Sequence, residues 1–107
     1  MIVQIPLYKA ELEILKVDDL PEPYSEFAAI TDEIDFYTYR ITFGAGVTEG
    51  IIAHEALHVI SAIFRRRMIE LSFDHDEPLC YLLEWIVDRC HEALKQAACA
   101  GELSSPL

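Results

Sequence analysis

The stretch Thr48-Glu49-Gly50-Ile51-Ile52-Ala53-His54-Glu55-Ala56-Leu57-His58-Val59-Ile60-Ser61-Ala62-Ile63 divides the chain into two unlike halves. Within it Ile51, Ile52, His54, Glu55, His58, Val59, Ala62 and Ile63 recur at the three- and four-residue spacing of one helix face. Thr48 is a suitable N-cap, because its hydroxyl can accept from a free amide of the first turn, and Gly44-Ala45-Gly46 closes whatever precedes it. The spacing predicts a helix over 48–67.

Upstream of this helix the pattern is that of strands. Leu7 to Val17 alternates in part, and Phe27 to Ile30 and Phe36 to Phe43 are rich in aromatic and β-branched residues, so three strands are expected. Leu20-Pro21-Glu22-Pro23 reads as a loop, since proline removes backbone donors. Thr31-Asp32-Glu33 reads as the turn of a hairpin whose second arm is 34–43. Phe36, Tyr37, Tyr39 and Phe43 are read as core residues of that arm. Downstream, 70–75 is a connection with room for a short strand at its start. Asp74 or Asp76 then caps a second helix over 76–100 that carries Leu79, Leu82, Leu83, Ile86, Val87, Cys90 and Leu94. Pro78 is tolerated in its first turn, and Gly101 to Leu107 forms a tail. There is no internal repeat and no low-complexity segment. The expectation is one α+β domain over 1–107, with a small antiparallel sheet in 1–46 followed by two long helices.

With 107 residues, 52% of them apolar, the chain can bury one core but not two. Nineteen acidic residues against eight basic ones leave a net charge of -11, a field that repels phosphate backbones, so nucleic acid is not an expected partner. Charges interrupt every apolar run, and no basic-then-apolar leader opens the sequence; a soluble, unprocessed protein without a membrane partner is expected. Arg65-Arg66-Arg67 falls at a helix end, where cations complement the helix dipole. Cys80, Cys90 and Cys99 lack close Cys-x-x-Cys pairing and are read as buried free thiols, which favours the cytoplasm.

His54 and His58 lie about 6 Å apart along the helix axis and about 40° apart around it, so both imidazoles can reach one ion. Glu55 points about 100° away from His54, outside the first coordination shell but within reach of a water held by the metal. Zinc suits this donor set: it binds neutral imidazole, keeps a position open for water and lowers that water's pKa to roughly 7, so that a carboxylate can take the proton. A catalytic site needs a third protein ligand. Glu77, on the first turn of the second helix, is the first choice and Glu84 the competing one.

The helix bearing His54-Glu55-Ala56-Leu57-His58, followed by Asp76-Glu77 opening a second helix, resembles the gluzincin metallopeptidases, among them the thermolysin-like enzymes. The resemblance covers Thr48 to Asp88 and is closest to minimal single-domain gluzincins; similar small proteins occur in phages and bacteria. It implies that His54, His58 and Glu77 hold zinc and that Glu55 is the general base and acid. The asparagine that usually precedes the glutamate ligand is Asp76 here, and the acidic residue four positions after it is replaced by Tyr81, which alters how the metal ligands would be oriented. A group stabilising the oxyanion could be His75, Tyr81, Tyr39 or His91. In gluzincins an edge strand beside the motif helix binds the substrate, and Tyr37 to Phe43 is the candidate for it.

The expected function is zinc-dependent hydrolysis of peptide bonds by zinc-bound water that Glu55 activates, with a peptide or protein as substrate and with the Gly101 to Leu107 tail able to cover the cleft. A regulatory protease acting on one cellular protein would share that chemistry. The alternative is a non-catalytic interaction or accessory protein that keeps zinc as a structural staple.

Overall fold

The computed structural model describes residues 1–103. Its elements are β1 (Ile2–Ile5), β2 (Ala10–Lys16), β3 (Ala29–Glu33), β4 (Thr38–Phe43), α1 (Glu49–Arg66) and α2 (Glu77–Leu103). The strands form one sheet in the order β1-β2-β4-β3, and the helices follow it, so the architecture is α+β as expected.

The sheet differs from the expected one in three ways. There are four strands, because Ile2–Ile5, upstream of the first expected strand, is itself a strand, and a turn in which Leu7 and Lys9 take positive φ, 73° and 48°, moves the start of the strand expected from Leu7 to Ala10. It is mixed: β1–β2 and β3–β4 pair antiparallel, but β2 and β4 pair in parallel, with Ile14 opposite Ile41. Thr31, Asp32 and Glu33 lie within β3, and the hairpin turn comes later, at 34–37, where the Asp35 carboxylate accepts from the Tyr37 amide at 2.8 Å. That turn keeps Asp35 below the usual carboxylate range, chiefly through the Tyr37 amide bond.

Alternation decides which sheet face meets the helices. Ala10, Leu12 and Ile14 of β2 and Tyr39, Ile41 and Phe43 of β4 are buried, and they pack with Val59, Ile60, Ile63, Ile86 and Cys90 of the helices in one core. On the opposite face Glu13, Arg40 and Asp32 stand in register across β2, β4 and β3, with Arg40 ion-paired to Glu13. Truncating a core residue such as Ile60 to alanine would cost about 2–5 kcal/mol.

Two turns of chain fix α1. Gly46, at φ 77°, turns the backbone out of β4, a conformation that side chains with a Cβ rarely adopt. Thr48 then caps the helix as expected, its Oγ1 accepting from the Ile51 amide at 3.2 Å. At the other end Met68 takes φ 56°, and the Ile69 amide bonds back to the Phe64 carbonyl at 2.8 Å, a Schellman-type termination without glycine.

The arginine run does more than complement a dipole. Arg65 and Arg66 both bind the Glu33 carboxylate at the end of β3. Arg67 donates to the Tyr8, Lys9 and Phe36 carbonyls at 2.9–3.2 Å and lies over the Phe36 ring, 5.1 Å from its centroid. The C-terminal end of α1 is thereby tied to two strand connections.

Helix α2 begins after Asp76, whose carbonyl accepts from the Cys80 amide at 2.9 Å, and it continues three residues beyond the expected end, to Leu103. No strand forms in the 67–76 connection. The rest of the expected tail, 104–107, and with it any covering of the cleft, lies outside the described residues. All three cysteines are free, but only Cys90 is buried; Cys80 and Cys99 are exposed, because they fall off the α2 stripe of Leu82, Ile86, Cys90 and Ala93.

Candidate metal and peptide site

His54 and His58 stand one turn apart on α1, with Nε2 atoms 3.1 Å apart and rings edge-on at 4.7 Å between centroids. Both are exposed to a cleft of about 440 Å³ that runs between α1 and β3. Glu55, one position round the helix, is only 6% exposed, yet it reaches the same cleft. Thr31 of β3 donates from Oγ1 to Glu55 Oε2 at 2.7 Å. The negative charge of Glu55 also adds to burial in pushing the Cys90 thiol up to about 12.

The strand bordering the cleft is β3, not the Tyr37 to Phe43 segment expected for that role. That segment is β4, which is flanked by β2 and β3 and has no free edge, because its parallel pairing with β2 places it inside the sheet. Two bonds fix the parity of β3: the Gly44 amide to the Ala28 carbonyl, and the Ile34 amide to the Thr38 carbonyl. Even-numbered residues therefore direct their amides and carbonyls toward β4, and Ala29, Thr31 and Glu33 direct theirs to the open edge beside the histidines.

Zinc bonded to two imidazoles at about 2.0–2.1 Å in tetrahedral geometry holds their nitrogens roughly 3.3 Å apart. The 3.1 Å separation of His54 and His58 fits two such positions. Neither glutamate expected as a third ligand lines the cleft with them. Glu77 lines a different, apolar cleft of about 490 Å³ with Pro6, Leu7, Tyr8, Tyr81 and Trp85. Glu84 is exposed, turned away from the stripe that packs on α1. Among the described residues no group of three or more His, Cys, Asp or Glu is arranged to hold a metal ion.

The four oxyanion candidates are also elsewhere. Tyr81 is beside Glu77, and Tyr39 is fully buried with its hydroxyl donating to the Phe36 carbonyl at 3.4 Å. His91 contacts Glu49 at 2.8 Å, which places α2 antiparallel to α1, and His75 is exposed in the connection. The cleft instead contains residues that the sequence did not assign to the site: Thr31, the Tyr24–Phe27 aromatic pair from the proline-containing loop, and Arg65. Thr31 was hidden by its turn-like neighbours. Arg65 could have been found from its spacing, since it follows His58 by two turns on the same face.

Comparison with family models, curated proteins and solved structures finds no match for this chain. No helix among the described residues is long and apolar enough to cross a membrane.

Proposed function

We propose that the chain is a zinc-dependent peptidase with the two-histidine, one-glutamate helix of the gluzincins, His54 and His58 being metal ligands and Glu55 the general base and acid. One observation carries this reading: two histidines and a buried, hydrogen-bonded carboxylate converge on a cleft bordered by a free strand edge. Zinc bound there would polarise the substrate carbonyl and acidify water. Thr31 holds Glu55 at Oε2, which leaves Oε1 as the oxygen that would take a proton from water in the cleft and return it to the leaving nitrogen. A substrate running along β3 would pair with the open amides and carbonyls of Ala29, Thr31 and Glu33, which orients the scissile bond beside the histidines. Glu77 completes a gluzincin ligand set only if the first turn of α2 moves toward α1. The absence of disulfides among free thiols fits the cytoplasm as its compartment.

The test is metal content and peptide-library cleavage for the native chain and for Glu55→Gln. Zinc in both, with cleavage reduced about 10²–10⁴-fold in the variant, supports the reading. Zinc in both with equal, negligible cleavage sinks it.

The non-catalytic reading is favoured by a different observation. The groove holding Glu77 is lined by Pro6, Leu7, Tyr8, Tyr81 and Trp85, with Leu7 95% exposed, a surface suited to an apolar partner. On that reading the acidic start of α2 is the rim of a binding surface, and the metal would only brace α1.

A further inference from the structure

Arg65 is the cation lining the His54–His58 cleft among the described residues, in a chain of net charge -11. It follows His58 by seven residues, two helical turns, so it shares the histidine face about 10 Å farther along α1. The guanidinium is already in an anion-binding geometry: it contacts Glu33. Glu33 has a second partner, because Arg66 holds the other carboxylate oxygen at 2.9 Å; both arginines keep that carboxyl below its ordinary value, the Arg66 hydrogen bond most. Two guanidiniums share this one carboxylate, Asp32 and Glu55 also line the cleft, and the Arg65 side chain is 64% exposed, open to a second anion.

We propose that Arg65 forms a subsite for an acidic side chain, so that the substrates are peptides with Asp or Glu near the bond cut. The inference rests on the peptidase reading of the same cleft. The position follows from the geometry. Thr31 meets Glu55 and Glu33 meets Arg65, so β3 and α1 run the same way along the cleft. A peptide pairing antiparallel to β3, the commoner arrangement, has its N-terminal end at Arg65. At about 3.3 Å per residue, 10 Å places the acidic side chain about three positions N-terminal to the scissile bond. There it accepts from Arg65 while Arg66 retains Glu33.

The experiment uses the full-length, zinc-loaded chain and a positional-scanning library of fluorogenic peptides, with Arg65→Gln and Arg65→Glu alongside. The native chain should cleave peptides with Glu at that position about tenfold faster than those with Gln, the size of one charge-assisted bond. Arg65→Gln should lose the preference, and Arg65→Glu should favour Lys. Binding of the same peptides to Glu55→Gln, followed by fluorescence anisotropy, reads the subsite without turnover. A Glu preference in binding with no cleavage by the native chain keeps the subsite and removes the peptidase. Cleavage or binding that ignores charge, or the same preference in all three chains, overturns the subsite and leaves the peptidase standing.

Discussion

Thr31 on β3 donates a 2.7 Å hydrogen bond to Glu55 on α1, joining the strand that borders the cleft to the carboxylate set beside the histidines. The bond does two things: it satisfies one oxygen of a buried carboxylate, and it fixes that group's rotamer against a rigid strand. Thr31→Val keeps the shape and removes the donor. The expected loss is about 1–3 kcal/mol in urea unfolding, from a charged acceptor left short of a partner. Thr31→Ser should recover most of it, and peptide cleavage should fall in the valine variant and return in the serine variant. Equal stability of all three chains would mean that water replaces the threonine.

The proposed metal site assigns different parts to the two helices. His54→Ala and His58→Ala should each weaken zinc binding at least tenfold in competition with a chromophoric chelator, because each removes one of two imidazoles 3.1 Å apart. Glu77→Ala should leave affinity unchanged, since Glu77 lines the apolar cleft beside Tyr81 and Trp85. A loss in Glu77→Ala as large as that in His58→Ala would instead mean that the first turn of α2 moves to the histidines when zinc binds.

Thiol reactivity should divide two to one. Cys80 and Cys99 are exposed and should react with an alkylating reagent in the folded chain at neutral pH, whereas buried Cys90 should react only on unfolding. Burial first, and the Glu55 charge second, raise Cys90 from its ordinary 9.0 to about 12. The folded state therefore retains a proton that the unfolded state loses between those values. Its contribution to stability is intact below pH 9.0 and falls as pH rises toward 12, a trend that Cys90→Ala should remove from alkaline denaturation curves.

The end of α1 offers a stabilising change away from the site. Met68 is 93% exposed and takes φ 56°, where a side chain costs energy and glycine does not. Met68→Gly should raise stability by about 0.5–1 kcal/mol, read as a higher urea midpoint at unchanged slope, with cleavage unaffected. A lower midpoint would mean that the methionine packs on something in solution.

The division between sequence and tertiary structure can be followed along α1. Its periodicity, its Thr48 cap and the pairing of His54 with His58 depend on residues within a few positions of each other, so the sequence alone determined them. The α+β order of sheet followed by helices was legible for the same reason. Strand order was not. That β4 is central and β3 the free edge depends on the parallel pairing of β2 with β4, a contact between distant segments that no local pattern encodes. The position of Glu77 also depended on packing. Its spacing from His58 permitted a shared metal site, but the depth and rotation of α2 against α1 place the carboxylate in another cleft. Local periodicity fixes which face a residue occupies. Only the packing of elements decides what that face meets, and here it gave Glu55 a threonine from the edge strand and gave the histidine cleft an arginine.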